Sequence, residues 1–375
     1  MQGLVVAERH LGLASHGIVF QAEGFGFPVD EILYQADTPV IVRGMKRVGL
    51  LLRAMADFDV VHFHFGRTIG PLPPVPESSS SHRTSMAQRI KRAGQRLLGM
   101  ADLAVLKRMG KGIVVTYQGD DARQGDYCRT HYAISPAEEV EAGYYTPQTD
   151  AWKRTCIETM ARYADRIYAV NPDLLNVLPP GSRFLPYACV DPVLWRPVEQ
   201  PLGDRRPPVV LHAPSHRGAK GTRFVLAALD RLRAEGVPFE PMLVERLSHA
   251  EARRRYEQAD LLVDQLLCGW YGGVAVELMA LGKPVIAYLR EADLEFIPPE
   301  MRTDLPVISA TPATIYHVLK EWLTVRRHEL ADVGRQSRAF VQRWHDPSRI
   351  AAVLKAEYER ILHRTSDGAS RPCAG

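Results

Sequence analysis

The sequence predicts an α/β protein made of two similar halves, each built on a parallel β-sheet. The first observation is length, since 375 residues amount to about two and a half average domains of roughly 150 residues. The second is the alternation of short β-branched runs with helical-period segments between 207 and 309. The third is a looser form of the same alternation between 59 and 170. Strands separated by helices in this way form βαβ units, whose strands lie parallel.

The first half has three predicted strands, three predicted helices and an unusual beginning. The strands are expected at 59–64, 112–117 and 166–170, and the helices near 45–56, 87–108 and 150–163. A Ser/Pro-rich segment at 71–81 is interpreted as a mobile surface loop. The chain opens directly in a helical pattern that includes Leu4 and Leu11, whereas a Rossmann-like half normally begins with a strand. We therefore expect the first strand to be missing from this version of the chain.

The second half shows the pattern more regularly. Its strands are expected at 209–212, 242–244, 261–264, 284–288 and 305–308, and its helices at 224–233, 250–258 and 274–281. A Pro-rich segment at 187–208 is predicted to be the hinge. The domains are therefore placed at 1–188 and 198–345, with a final helix at 347–365 returning to the first domain and a disordered tail at 366–375.

Composition and charge exclude several classes of protein. Lys and Arg number 47 against 43 Asp and Glu, and this net charge of +4 is too small to indicate a nucleic-acid-binding protein. The five cysteines are odd in number and never form a CxxC pair, so neither a disulfide framework nor a structural zinc site is favoured. Without a long apolar run or a secretion signal, the chain is expected to be cytoplasmic.

One segment is strongly basic. Residues 87–111 carry seven Lys or Arg residues against Asp102 alone, a local balance of 7 − 1 = +6. A basic amphipathic helix can lie on the anionic inner face of a membrane or bind an acidic partner, and a simple solvated face is the third interpretation.

The motif at 269–288 predicts an anion site. Gly272 and Gly273 open a helix, whose first N–H groups and positive dipole end attract an anion. Glu277 follows about one turn later, where a carboxylate can accept hydrogen bonds from two hydroxyls of a ribose. A solvated helix residue is the alternative interpretation of Glu277.

A second motif, at 212–222, follows the first strand of the second half. Arg217 and Lys220 lie where the chain enters a helix, so both can reach phosphates held at the sheet edge. Gly218 and Gly221 let the backbone approach closely. The alternative is that both cations simply face solvent.

Together, the two motifs resemble those of glycosyltransferases with the GT-B fold, and more narrowly the family 4 group of retaining, nucleotide-sugar-dependent enzymes. That group has an Arg and Lys pair after the first strand of its second domain. It later has an acidic residue, seven residues and a Glu, followed by a GlyXaaProVal ending. The resemblance covers roughly 185–350 well and the first half more loosely.

The resemblance implies a role for each matching residue. Arg217 and Lys220 would be catalytic, stabilising the diphosphate of the donor and the leaving nucleotide, and Glu277 would hold the ribose. The resemblance implies neither a metal nor another cofactor. The remaining donor-binding candidates are Ser215, Tyr271, Gly272, Gly273 and Val274.

Two positions depart from the family pattern. Gly269 stands where the family usually has the first acidic residue, and Asp264, Gln265 or Tyr271 are the candidates to replace its sugar contact. Gln118 stands where many members have a His. Because the front-face retaining mechanism needs no general base, Gln118 is compatible with catalysis.

The first half offers acceptor-side candidates at the ends of two predicted strands. Asp120 and Asp121 suit a role in the cleft or the capping of their loop equally well. His62 and His64 form a HisXaaHis pattern for which no third zinc ligand is evident. The candidates are His64, Arg67, Gln118, Asp120 and Asp121.

The expected function is therefore transfer of a sugar from a nucleotide sugar to the hydroxyl of a sugar, glycoconjugate or small-molecule acceptor, with retention and without a metal. Two alternatives stay open. One is a nucleotide-sugar 2-epimerase of the same fold. The other is a non-catalytic GT-B binding protein, which Gly269, Gln118 and the missing first strand would suit.

Overall fold

The computed structural model describes residues 2–21, 28–76, 86, 92–95, 98–197 and 206–369. Residues 77–81 of the Ser/Pro-rich segment lie outside the described residues, as do 370–375. Of the basic stretch at 87–111, Arg89, Lys91 and Arg96 also lie outside them.

The described elements form two large parallel sheets, of four and five strands, and a two-stranded parallel ribbon, with helices around them. The strands are β1 (Ile18–Val19), β2 (Glu31–Ile32), β3 (Val60–His64), β4 (Gly112–Tyr117), β5 (Arg166–Ala169), β6 (Arg183–Phe184), β7 (Val209–His212), β8 (Glu240–Leu243), β9 (Leu261–Val263), β10 (Val285–Ala287) and β11 (Ile308–Ser309). The helices are α1 (Gln2–His10), α2 (Val40–Asp57), α3 (Ala101–Arg108), α4 (Gly125–His131), α5 (Pro147–Tyr163), α6 (Arg217–Lys220), α7 (Thr222–Ala234), α8 (His249–Gln258), α9 (Gly273–Ala280), α10 (Pro299–Asp304), α11 (Ile315–Leu323), α12 (Leu330–Trp344) and α13 (Pro347–Ala369).

The larger sheet of the first half has the order β3-β4-β5-β6, with all strands parallel. Every residue of β4 is buried, as expected for a central parallel strand covered on both faces. Side chains alternate along it, so Ile113 and Val115 pack with α3 and α5 while Val114 packs with α1 and α13. This places the first core on both sides of β4.

The outer edge of β3 faces a cavity. Strands β1 and β2 form a separate two-stranded parallel ribbon, and residues of this ribbon, of β3 and of α1 line a cavity of about 1110 Å³. Within the described part of the chain, no strand lies between the ribbon and β3. The first described element is α1, as the sequence predicts, and a strand preceding it stays a prediction.

The second half contains a five-stranded parallel sheet in the order β11-β10-β9-β7-β8. Helices α9 and α12 cover one face and helices α7 and α11 the other. Strand β11 begins at Ile308, three residues later than predicted, because α10 continues to Asp304 and Leu305 packs against the core. Strands β1, β2 and β6, of two residues each, have no counterpart in the sequence prediction.

The chain returns to the first half at its end. Helix α13 packs against α1, and Lys355 Nζ donates a hydrogen bond of 2.8 Å to the carbonyl of Leu11. The helix continues to Ala369, so residues 366–369, which the sequence assigns to a disordered tail, are helical. None of the described helices is long and apolar enough to cross a membrane.

Candidate functional site

The central feature of the site is the start of α9, which lies beside the carboxyl ends of β7 and β9. Gly272 is the N-cap of α9, and a Cβ atom on it would lie 3.0 Å from Lys220 Nζ and 3.4 Å from Asp264. A glycine at this position therefore allows a cation and a carboxylate to approach the helix terminus closely.

Lys220 and the terminus of α9 hold a carboxylate between them. Lys220 Nζ donates to Gln265 Oε1 at 2.6 Å and lies 3.5 Å from Asp264 Oδ1. The N–H of Gly272 donates to Asp264 Oδ2 at 2.6 Å. The next N–H groups, of Gly273 and Val274, open the helix and have no acceptor within it. The arrangement is one that stabilises negative charge.

Glu277 lies one turn further along α9, buried and paired. Its Oε1 is 2.7 Å from Nε2 of His249, whose ring packs against Trp195 at a centroid distance of 5.6 Å. Cys189 lies nearby, with its Sγ 3.9 Å from the position of a Cβ on Gly273. Sequence reasoning missed His249 and Cys189, because neither belongs to a motif and both are distant in sequence.

The remaining donor-binding candidates lie apart from this cluster. Arg217 is exposed and donates two hydrogen bonds to Glu245, at 2.8 and 2.6 Å, which raise the pKa of its guanidinium. Ser215 is also exposed. Tyr271 is fully buried, and its hydroxyl lies 2.8 Å from Nε2 of His345. The structure therefore brings together Lys220, Gly272, Gly273, Val274 and Glu277, and leaves Arg217 and Ser215 at the surface and Tyr271 in the core.

The position of the absent acidic residue is filled by an arginine. Gly269 has φ +78°, and a Cβ on it would lie 2.6 Å from Arg290 Nη1. Arg290 pairs with Asp293 at 2.7 Å and donates to the carbonyl of Ile134 at 2.9 Å. Its guanidinium also stacks 3.5 Å above the Tyr132 ring of the first half. A larger residue at 269 would compete with this link between the halves.

Gln118 and His64 lie together in the first half. Gln118 Nε2 is 3.4 Å from His64 Nδ1, and the rings of His64 and His62 stack at 4.5 Å. His62 contacts the hydroxyls of Tyr358 and Thr116 at 2.7 and 2.8 Å. Burial lowers the pKa of His62 to about 3. Burial, together with the neighbouring imidazole of His62, lowers the pKa of His64 well below its usual value. Both imidazoles are therefore neutral at pH 7.

The two adjacent aspartates have different surroundings. Asp121 accepts hydrogen bonds from the N–H groups of Gln118 and Gly119, which favours the loop-capping interpretation for Asp121. Asp120 accepts from Tyr144, Tyr145 and Arg123. Burial opposes its charged form, but Arg123 and the two hydroxyls outweigh it and lower the pKa of Asp120 to about 2.

Arg67, the last acceptor-side candidate, is exposed on the turn after β3. Among the described residues, no group of three His, Cys, Asp or Glu side chains is placed so that it could hold a metal ion.

The halves touch beside Lys220. A Cβ on Gly218 would lie 2.4 Å from the carbonyl oxygen of Glu139, so glycine alone allows this approach. Arg223 donates to the carboxylate of Glu139 at 2.5 Å, and His216 lies 3.2 Å from Glu141. Helix α6, which carries Lys220, is thus held against the first half.

Comparisons by sequence and by structure give different results. No family model matches the chain, and no curated protein matches it by sequence. A sucrose-phosphate synthase from Thermosynechococcus elongatus is 16% identical, with a TM-score of 0.60, over 96% of this chain and 92% of that one. A glycosyltransferase from Rickettsia africae is 10% identical, with a TM-score of 0.55, over 96% and 94%.

A third similar structure is Anabaena Alr3699/HepE in complex with UDP-glucose, 12% identical with a TM-score of 0.52, over 90% of this chain and 86% of that one. At sequence identities this low, the structural similarity shows the fold alone. The chain has the α/β GT-B fold, as the sequence predicts.

Proposed function

We propose that this chain is a glycosyltransferase that moves a sugar from a nucleoside diphosphate sugar to an acceptor hydroxyl, with retention and without a metal ion. The observation that carries the proposal is the convergence of Lys220, the N-terminus of α9 and buried Glu277 at one edge of the second sheet. The complex of Anabaena HepE with UDP-glucose, in the same fold, supports a nucleotide sugar as the ligand class.

The diphosphate is assigned to Lys220 and the first N–H groups of α9. Asp264 already places a carboxylate against the Gly272 N–H and Lys220, so this position accommodates negative charge. As the bond between sugar and diphosphate breaks, negative charge grows on the leaving phosphate. Lys220 and the N–H groups of Gly273 and Val274 stabilise that charge, which lowers the barrier. Arg217, at the exposed rim, joins them by exchanging Glu245 for a phosphate oxygen.

The ribose is assigned to Glu277. His249 contacts one carboxylate oxygen at 2.7 Å and fixes the orientation of the group. The carboxylate can then accept hydrogen bonds from two neighbouring hydroxyls, and burial strengthens these bonds by excluding water.

The acceptor is assigned to the first half, at the carboxyl ends of β3 and β4. Neutral His64 and the Gln118 amide can each donate or accept a hydrogen bond, so they can orient an acceptor hydroxyl. In the front-face mechanism, that hydroxyl attacks from the side of the departing diphosphate and transfers its proton to a phosphate oxygen. This chain's own residues then need to bind and orient the acceptor, and no side chain has to remove the proton.

The test is thermal unfolding of the full chain with a panel of nucleoside diphosphates and nucleotide sugars. A ligand at about 100 times its Kd stabilises the folded state by about 2.7 kcal/mol, which a melting curve detects. We expect one base to raise the Tm of the wild type clearly more than that of Lys220→Met, and the corresponding nucleotide sugar to be consumed with an acceptor. If no nucleotide raises the Tm, the proposal is wrong. If the nucleotide sugar is instead consumed without an acceptor, and the product is a nucleotide carrying an epimerised sugar, the protein is an epimerase.

A further inference from the structure

The outer edge of β3 lies along a cavity instead of against another strand. Strand β3 is the last strand of its sheet, and four of its five residues are only half-buried, whereas every residue of β4 is buried. Strand β1 lines the same cavity, whose volume is about 1110 Å³. Ile18 of β1 and Val61 of β3 pack against the same core cluster, so the ribbon continues the layer of the sheet beyond the cavity.

The backbone groups along this edge of β3 have no partners. In a parallel pair of strands, alternate residues direct their N–H and C=O groups to the same neighbour. The bonds to β4 begin at the Asp59 carbonyl and end at the Phe65 N–H. Val60, His62 and His64 therefore direct their N–H and C=O groups to the cavity side. Within the described part of the chain, none of these groups has a hydrogen-bond partner there.

Helices cover the cavity on both faces. Leu4 of α1 and Tyr358 of α13 line one face, and Leu50 and Ala54 of α2 line the other. The same two layers of side chains cover β3 and β4. A strand buried between two helix layers is apolar on both faces. The space between β1 and β3 thus has the surroundings of a central strand of a parallel sheet.

The second half shows which element fills the equivalent space. There, β7 lies between β8 and β9. Helix α7 leads to β8, as α1 leads to β1 in the first half, so the space between β1 and β3 corresponds to the place of β7. The residues of β7, ValValLeuHis (209–212), are all buried. An occupant of the cavity with the same chemistry is an extended segment of about four to six mainly apolar, β-branched residues.

A purely apolar ligand suits the cavity less well than a strand. It would contact the side chains but leave the N–H and C=O groups of Val60, His62 and His64 unpaired, and unpaired backbone groups away from water are costly. The hydroxyl of Tyr117, a buried residue that also lines the cavity, has no partner among the described residues either. A peptide strand carries donors and acceptors at the spacing that β3 requires.

The 375 residues contain no second candidate for this space. Each described strand already belongs to one of the three sheets. The segments outside the described residues contain no three successive apolar residues, and the one nearest the ribbon is AlaGluGlyPheGlyPhe (22–27).

We propose that the cavity between β1 and β3 is a strand-addition site, which binds an extended apolar segment of polypeptide from outside these 375 residues as a strand parallel to β3. The segment pairs with the backbone of Val60, His62 and His64 on one side. On the other side it pairs with the backbone of Ile18, since Gly17 and Val19 direct their carbonyls to β2. The nucleotide site lies in the second half, so the inference does not depend on the proposed function.

The experiment is residue-resolved amide hydrogen exchange of the full chain with a synthetic peptide. The peptide is Lys-Lys-Gly-Val-Val-Leu-His-Gly-Lys-Lys, which carries the β7 sequence between solubilising lysines. At saturation, we expect it to slow exchange of the Val60, His62 and His64 amides about tenfold or more, because each gains a hydrogen bond. The amides of Val61 and Phe63 already bond to β4 and are the internal control, with unchanged exchange.

Two controls separate strand pairing from apolar binding. The first is the same peptide with N-methyl groups on its Val, Leu and His amides, which keeps the side chains but removes the donors, and we expect it to give no protection. The second is Ala54→Phe, whose ring enters the cavity from α2 and is expected to weaken peptide binding about tenfold. Its matched variant is Ala228→Phe on α7, equally buried but remote from the cavity, which is expected to bind like the wild type. Melting curves show whether both variants are folded.

Four results would overturn the inference. The first is unchanged exchange of the Val60, His62 and His64 amides at every soluble peptide concentration. The second is equal protection by the N-methylated peptide, which would make the cavity a site for apolar ligands. The third is protection confined to β8 and β9, which would mean that the peptide replaces β7. The fourth is protection of the same three amides in a dimer of the free protein and its loss on dissociation, which would assign the cavity to a second copy of the chain.

Discussion

Arg290 occupies the space that a side chain at Gly269 would need, since a Cβ there would lie 2.6 Å from Arg290 Nη1. Gly269 also has φ +78°, a conformation that favours glycine. Arg290 in turn reaches Ile134 and Tyr132 of the first half. The glycine at this position of the motif is therefore coupled to a contact between the halves, which the sequence of the motif alone does not show.

Gly269→Ala is expected to destabilise the protein more than Gly236→Ala. Both glycines have positive φ, +78° and +74°, but nothing lies within 4 Å of a Cβ on Gly236. The Gly236 variant therefore pays only the conformational cost of about 1–2 kcal/mol, and the Gly269 variant adds the displacement of Arg290. Urea unfolding measures the difference. Equal losses in the two variants would show that Arg290 moves aside freely.

Lys220→Met is expected to weaken nucleoside diphosphate binding by about 10- to 100-fold, because it removes a charge-assisted hydrogen bond from a partly desolvated site. Arg217→Ala is expected to have a smaller effect, since Arg217 is exposed and already paired with Glu245. Calorimetric titration compares the two. Lys320→Met, which removes a cation paired with Glu235 far along the chain, is the control. Wild-type affinity in Lys220→Met would remove Lys220 from the site.

The sequence predicts those residues of the candidate site whose positions are fixed by one helix or by the order of strands in the sheet. A helix opened by Gly272 and Gly273 necessarily presents its N–H groups there, and Glu277 follows at a fixed rotation on the same helix. Lys220 comes after a strand of the same parallel sheet, so the topology brings it to the same edge. Regular periodicity is also why most strands and helices lie near their predicted positions.

The parts that the sequence does not predict depend on tertiary contacts. His249 meets Glu277 because α8 packs beside α9, and nothing in the local sequence of His249 indicates this. Tyr271 lies within the motif at 269–288, yet it points into the core, where its hydroxyl contacts His345 of the returning chain. Two-residue strands such as β1 carry too little periodicity to be recognised.

Glu277→Gln is expected to separate the ribose contact from the diphosphate contact. The neutral amide accepts hydrogen bonds at one atom only, so affinity for the nucleoside diphosphate should fall about tenfold. Pyrophosphate lacks a ribose, so its affinity should stay unchanged. Lys220→Met, by contrast, should weaken both ligands. Glu257→Gln, on the neighbouring helix α8 and paired with Arg253, is the control. Equal losses for both ligands in Glu277→Gln would contradict the ribose assignment.

His345 is expected to make stability depend on pH below neutrality. It is fully buried where the chain returns to the first half, with Nδ1 3.0 Å from the carbonyl of Tyr187 and Nε2 2.8 Å from the hydroxyl of Tyr271. Burial lowers its pKa to about 4, whereas an unfolded histidine titrates near 6.5. The unfolded chain therefore binds the proton first as pH falls. The contribution of the neutral His345 imidazole to the unfolding free energy is therefore complete above about pH 6.5, and it is lost progressively as pH falls toward 4.

Between pH 7 and pH 5, this one group is expected to cost about 2 kcal/mol of unfolding free energy. His345→Phe should remove that part of the pH dependence, although it lowers stability at pH 7 by leaving the Tyr187 carbonyl and the Tyr271 hydroxyl unpaired. His62, whose pKa burial lowers to about 3, contributes with the same sign and remains in the variant. Urea unfolding at the two pH values measures the change, with exposed His317→Asn as the control. If His345→Phe kept the full wild-type difference between pH 7 and pH 5, the buried imidazole would not be its source.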